Sequence, residues 1–222
     1  MIAKVELIAE VELTPIGVIG SAFAVIALGH ATARLAGPVL GVWAWLPVTL
    51  VQWTCFASFI ALGAGRDGAL RWLRTPGGGA RSAAIAFAVG LIPLPILVTS
   101  FRLLDSAPLV LLWLAFAAIN PVLEEGYWRG LLLDRTSGWP AWASIGGSSA
   151  VFALNHPLSY GLVSLANAHP ATLASTFVMG VGWALVYRRT GSLRWPIAAH
   201  VVTDLCNLAV LAFMNVYVPA RA

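Results

Sequence analysis

The sequence predicts an all-α fold, a polytopic bundle of about seven transmembrane helices that forms a single integral membrane domain over residues 1–222. Two observations lead to this prediction. Hydrophobic residues make up 59% of the 222 residues and charged residues only 10%, whereas a soluble domain is about one quarter charged. The apolar residues also fall into stretches close to the ~20 residues that a helix needs to cross a hydrocarbon core.

Seven apolar stretches, separated by turns that contain Gly, Pro and Arg, approach this length. We place the spans at about 16–36, 39–64, 82–100, 107–135, 141–156, 172–187 and 195–216. The connection 157–171 contains polar residues and two prolines, so it is predicted to hold a short re-entrant or interfacial turn. Residues 2–13 include three Glu residues, which argues against a cleavable signal peptide and predicts an amphipathic surface helix.

Basic residues predict the orientation of the bundle. Two turns contain three or more arginines each: Arg66, Arg71, Arg74 and Arg81 in one, and Arg188, Arg189 and Arg194 in the other. Alternating spans put both turns on one side, which the positive-inside rule makes cytoplasmic. We therefore expect an integral protein of the cell membrane of a bacterium-like source, with a cytoplasmic N-terminus and an external C-terminus. No basic run is interleaved with aromatic residues, so a nucleic-acid partner is not expected.

Ionisable residues inside the apolar spans identify the candidate site, because a charge at bilayer depth costs roughly 2.5–3.5 kcal/mol on insertion scales. The fourth span contains Glu124, Glu125 and Arg129, and the seventh contains His200 and Asp204. Glu125 and Arg129 are four residues apart on one helical face, so they are predicted to form an ion pair. Consecutive helical residues point about 100° apart. Glu124 is therefore expected to face a different centre from Glu125 and to lack a local partner.

A third polar cluster, Phe152-x-x-x-His156, ends the fifth span. At about 1.5 Å per residue, Glu124, His156, His200 and Asp204 lie roughly 16, 22, 8 and 14 Å from turns on the same side, so they are able to meet at one level. A carboxylate beside an imidazole can activate water, and a second imidazole with a polar neighbour can stabilise an oxyanion. These residue types therefore predict hydrolysis of an amide by activated water, with Phe152 packing to position His156.

The three clusters resemble the motifs of the CPBP family, the CAAX-protease and bacteriocin-processing enzymes that include the type II CAAX prenyl endopeptidases. The family motifs EExxxR, FxxxH and Hxxx(N/D) stand here at 124–129, 152–156 and 200–204, within a motif-bearing core at about 107–216. The resemblance implies an intramembrane glutamic-type endopeptidase. Its substrate would be a membrane-associated protein or peptide in the lipid bilayer, prenylated CAAX-like proteins included.

The resemblance also implies a role for each residue of the site. Glu124 and His156 would activate the water, while His200 and Asp204 would bind the oxyanion. The ion pair of the first motif would hold the site in place.

One residue departs from the pattern of the prenyl endopeptidases, which carry Asn where this chain has Asp204. An ionised Asp cannot donate a hydrogen bond. Asp204 is therefore expected to orient His200 or to be protonated, and Asn207, one turn further on, is a candidate for the missing donor.

Two other functions and one other chemistry fit the same residues. A catalytically inactive scaffold or immunity protein would use the polar cluster for packing, and a small proton-coupled transporter would use it as a proton relay. No inverted repeat supports the transporter. Glu124, His156, His200 and Asp204 are also zinc-ligand types, but no HExxH pair lies on one helix, so no cofactor is predicted. We expect the substrate to reach the site from the cytoplasmic half of the bilayer.

Overall fold

The computed structural model describes residues 14–219, which fold into helices joined by short turns, with no β-strand in this range. The predicted all-α fold class is therefore confirmed for these residues. The surface helix predicted at residues 2–13 lies outside them. In chain order the α-helices are α1 (Pro15–Leu40), α2 (Trp45–Gly63), α3 (Gly65–Arg74), α4 (Gly79–Gly90), α5 (Leu94–Ser100), α6 (Ala107–Glu125), α7 (Leu132–Arg135), α8 (Ala141–Leu158), α9 (Leu165–Ala168), α10 (Pro170–Thr190), α11 (Arg194–Cys206) and α12 (Ala209–Phe213).

Four stretches of helix are long and apolar enough to cross a membrane: Pro15–Trp43, Trp45–Gly63, Ala107–Arg135 and Pro170–Thr190. A fifth span results if α4 and Leu94–Leu103, which are bent by 52° at a short break, are counted together. Large apolar side chains on these stretches are exposed, for example Leu35 at 78% and Leu111 at 67%, and such a surface suits contact with lipid. The chain is therefore an integral membrane protein, with fewer clear spans than the seven predicted.

Two predicted spans, 141–156 and 195–216, are not among these candidates in the described residues. α8 carries polar side chains that are buried against its neighbours: Ser144, Ser148, Ser149 and Asn155. The second stretch is divided into α11 and α12 by Asn207 and Leu208, and Leu208 has a left-handed φ of 52°. Both stretches still belong to the bundle, since α8 packs against α10 and α11 packs against α6. Their polar positions are shielded by protein, which hydropathy alone does not reveal.

The first helix begins close to the predicted residue 16 and ends later than expected. α1 follows Thr14, whose hydroxyl accepts a hydrogen bond from the Gly17 N–H at 3.1 Å. The break predicted between residues 36 and 39 is wrong, because Pro38 lies inside α1. The helix stops instead at Gly41, whose φ of 55° suits glycine and few other residues.

The Arg-rich turns lie together at one end of the bundle, as the alternation of spans predicted, and we call this end the arginine end. Asp134 in α7 accepts hydrogen bonds from Arg71 at 2.7 Å, from the Trp72 indole at 2.9 Å and from the Tyr187 hydroxyl at 2.6 Å. Arg194 at the start of α11 donates to the backbone of α3 at 2.6 Å. These contacts join α3, α7, α10 and α11. The assignment of the arginine end to the cytoplasm stays a prediction.

Candidate active site

The ion pair predicted within the first motif is present and completely buried. Arg129 Nη1 lies 2.9 Å from Glu125 Oε1, and both side chains have 0% exposure. The guanidinium carbon is 4.1 Å from the centroid of the Phe152 ring and 5.3 Å from that of Trp183. The charge is therefore stabilised by one carboxylate and two aromatic faces. Phe152, predicted only to position His156, thus also contacts the arginine.

His200 brings both glutamates to one centre. Its Nδ1 lies 2.8 Å from Glu125 Oε1, while its Nε2 lies 3.7 Å from both Glu124 Oε2 and Asp204 Oδ1. The Trp183 ring stacks on the imidazole with 4.7 Å between centroids. The prediction that the two glutamates face different centres is therefore wrong. Their side chains diverge as expected, but an imidazole presents its nitrogens on different edges, and each carboxylate approaches one of them.

The backbone around this motif departs from the regular α-helix predicted for 107–135. Residues Gly126–Leu131 form a π-helical segment between α6 and α7, a wider turn that occurs often at functional sites. Two glycines let neighbours approach it closely, since an added Cβ would lie 2.9 Å from Ile60 at Gly126 and 2.8 Å from the Trp72 ring at Gly130. The segment thus sits directly against α2 and α3, between the glutamates and Asp134.

His156 faces the same region from α8. Its Nδ1 lies 3.1 Å from the Phe152 carbonyl oxygen. Because a carbonyl only accepts, this hydrogen bond places the proton on Nδ1 and leaves Nε2 of the neutral ring with a free lone pair. His156 does not end its helix, although Pro157 follows it, because α8 continues to Leu158.

Asn120 completes the polar cluster and was missed in the sequence. Its Nδ2 donates to Asp204 Oδ2 at 3.1 Å, and its Oδ1 accepts from the Trp53 indole at 2.9 Å. Asn120 precedes Glu124 by four residues in NPVLEE, so both lie on one helical face. That spacing was a usable indication. The contact with Asp204, 84 residues away, had no local indication.

The four predicted catalytic residues line one cavity of about 110 Å³. A buried water needs roughly 10–15 Å³ of such space, so the cavity has room for several. Asn120 and Asn207 also line it. No hydrogen bond within residues 14–219 joins His156 directly to Glu124, although the two line the same cavity.

The cavity extends away from the arginine end. Beyond the site it is lined by residues of the opposite half of the bundle: Pro93, Tyr160, Asn167, Thr172 and Tyr217. None of its lining residues comes from the Arg-rich turns. Access from the side of these turns, the half predicted to be cytoplasmic, is therefore not what this geometry supports. The charges of the turns, which are visible in the sequence, do not predict the side on which the cavity opens.

A metal ion was an alternative by ligand type. Within the described range, 14–219, no group of three or more His, Cys, Asp or Glu side chains is arranged to hold one. A reaction without a cofactor stays a prediction.

Comparison with known proteins is consistent with this site. Residues 106–206 match the family model described as "Type II CAAX prenyl endopeptidase Rce1-like". No curated protein and no solved structure is similar enough to the chain to count as a match. The matched region runs from the residue before α6 to the end of α11 and contains all three motifs. The segment that builds the candidate active site is therefore similar to the Rce1-like type II CAAX prenyl endopeptidases.

Proposed function

We propose that the protein is an intramembrane endopeptidase of the glutamic type, which hydrolyses a peptide bond of a membrane-associated protein or peptide. One observation carries the proposal. Glu124, His156, His200 and Asp204 come from three different helices and line a single cavity large enough for water. The match of residues 106–206 to the Rce1-like family supports a protease.

Glu124 and His156 activate the water. The carboxylate and the free Nε2 of His156 are both hydrogen-bond acceptors, and both residues line the cavity, so a water between them would have two sites for its proton. The water oxygen attacks the peptide carbonyl carbon as its proton passes to one of these bases. The same proton is then delivered to the leaving nitrogen as the C–N bond breaks.

The His200 side of the cavity stabilises the developing oxyanion. Glu125, paired with Arg129, accepts the hydrogen bond of His200 Nδ1, so the protein fixes the ring by its far edge. In the protonated ring, Nε2–H is the donor left for the oxyanion. Glu125 and Arg129 thus act through His200, and neither is needed to touch the substrate.

The family match and the position of the cavity support a class of substrate. Prenylated CAAX-like proteins are one candidate class, because the matching family is described by that activity. Asp204 stands where the prenyl endopeptidases carry Asn, so the oxyanion side differs from theirs. We therefore propose a hydrophobic or lipid-anchored peptide without specifying the prenyl group.

Cleavage of a quenched fluorescent peptide by the purified protein in proteoliposomes tests the proposal. We expect Glu124→Gln and His156→Ala to lower kcat by a factor of about 10²–10⁴, as loss of a general base does. The matched control is Asp67→Asn, an exposed acid in α3 outside the cavity, which is expected to cleave normally. Full activity of Glu124→Gln would contradict the role of Glu124 in water activation, whereas a wild type that does not cleave the peptide would favour the inactive scaffold. Loss of activity with phenanthroline, restored by zinc, would overturn the proposal that no metal takes part.

A further inference from the structure

Hydrogen bonds fix the orientation of the Asn120 side chain. The Trp53 indole N–H only donates, so the atom 2.9 Å away must be the amide oxygen of Asn120. The amide nitrogen therefore faces Asp204 Oδ2 at 3.1 Å. If the amide were inverted, its N–H groups would face the N–H of Trp53, and its oxygen would face the carboxylate of Asp204. Neither pair can form a hydrogen bond. Asn120 is 4% exposed and lines the cavity, and its hydrogen bonds to Trp53 and Asp204 fix the amide in one orientation.

This orientation leaves one amide hydrogen for the cavity. Nδ2 carries two hydrogens, and one is used by Asp204. The other has no hydrogen-bond partner among residues 14–219. A neutral amide hydrogen held at the wall of a buried cavity, beside His200 and Asp204, is the kind of donor that stabilises an oxyanion.

Asp204 does not supply such a donor when ionised. Its Oδ2 accepts from Asn120, and its Oδ1 lies 3.7 Å from His200 Nε2. Its Oδ2 thus accepts a hydrogen bond, as suits a carboxylate. The prenyl endopeptidases instead place an amide at this position, so in this chain an amide donor has to come from another residue.

We propose that Asn120 is a catalytic residue that supplies the oxyanion-binding amide in place of the residue at position 204. The inference rests on the proposed function. It assigns the amide to α6 and gives Asp204 the task of holding it. Asn120 and Asp204 are then one unit, in which the amide contacts the reacting oxygen and the carboxylate fixes its direction.

The inference is tested by removing the amide from position 120 in α6 and placing one at position 204 in α11. Asn120→Ala is expected to lower kcat about 100-fold, the loss seen when one oxyanion donor is removed, with KM changed less than about threefold. Adding Asp204→Asn to that variant returns an amide to the cavity. It does not restore the hydrogen bonds that the Asn120 side chain makes with Trp53 and with residue 204. We expect the double variant to recover kcat at least about tenfold over Asn120→Ala. Its thermal unfolding temperature should stay as low as that of the single variant.

A purely structural role gives a different pattern. If Asn120 only supports packing, the double variant is no more active than Asn120→Ala, and the inference is wrong. It is also wrong if Asn120→Ala keeps kcat within about threefold of the wild type. The matched control is Asn155→Ala, another buried asparagine, which pairs with Gln52 and does not line the cavity. It should lower the unfolding temperature and leave the kcat of the folded protein unchanged.

The proposed function and this inference fail separately. A wild type that does not cleave the peptide contradicts the protease itself. A wild type that cleaves it, together with an Asn120→Ala variant that cleaves equally well, contradicts only the role of Asn120.

Discussion

Arg129 shows how a full charge is held inside an apolar bundle. Its side chain has no exposure, and its neighbours are the Glu125 carboxylate and the faces of Phe152 and Trp183. A planar guanidinium can pair and stack at once, which a lysine ammonium cannot do. The same carboxylate oxygen of Glu125 also meets His200. The ion pair therefore contacts the active-site residue His200 in addition to neutralising its own two charges.

Removing one partner of this pair leaves a buried, uncompensated charge. We expect Arg129→Met to reduce the free energy of unfolding by about 3–5 kcal/mol, measured by denaturation in detergent. The double variant Arg129→Met/Glu125→Leu removes both charges and should recover much of that stability, but not activity, because His200 loses its support. Arg102→Ala, at an exposed arginine, is the control. A loss below about 1 kcal/mol for Arg129→Met, the range of a surface pair, would show that the pair is not needed for stability.

Among the elements, the π-helical segment Gly126–Leu131 contributes most directly to the position of the site residues. It follows the two glutamates directly and carries Arg129, and it is held from outside by the Trp72 ring over Gly130. The Trp128 carbonyl, within the same segment, accepts from the Ser148 hydroxyl of α8 at 2.6 Å. Contacts from α3 and α8 therefore fix a turn whose own hydrogen-bond pattern is less favourable than that of an α-helix.

Filling the space over Gly130 should displace this turn. Gly130→Ala places a methyl group 2.8 Å from three atoms of the Trp72 ring, and such overpacking costs about 1–3 kcal/mol. We expect a lower unfolding temperature and a lower kcat in the peptide assay. Gly146→Ala in α8, where an added Cβ meets nothing within 4 Å, is the control and should be neutral or stabilising. If both variants behave alike, the close contact of Trp72 does not hold the π segment.

Local rules explain which elements could be predicted from the sequence. The Glu125–Arg129 pair was predictable because i and i+4 share a face in the chain itself. The π segment was not, because an apolar stretch gives no periodicity that distinguishes an α turn from a π turn. Asn120 lay in view, four residues before Glu124, but its partner Asp204 is distant in the chain. The helices α8 and α11 were predicted from the apolar stretches 141–156 and 195–216, although their polar residues lower their hydropathy.

At the scale of the whole molecule, the charge pattern and the cavity point in opposite directions. The arginine end is held together by Asp134 and its three donors and contributes no lining residue, whereas the cavity is lined towards the other end by residues such as Thr172 and Tyr217. If the positive-inside rule holds, the substrate meets the site from the external half of the bilayer. The orientation of the bundle therefore decides which proteins are within reach.

Labelling of single cysteines with a membrane-impermeant maleimide in intact cells tests this orientation. The background is Cys55→Ser/Cys206→Ala, which removes both free cysteines. We expect Val218→Cys, at an exposed residue next to the cavity lining, to be labelled in intact cells. Arg66→Cys, at an exposed residue of the arginine end, should be labelled only after permeabilisation, because Arg-rich turns stay on the cytoplasmic side. Both variants must retain peptide cleavage. The reverse labelling pattern would show that the cavity opens to the cytoplasm, and the substrate would then be a protein of the inner membrane face.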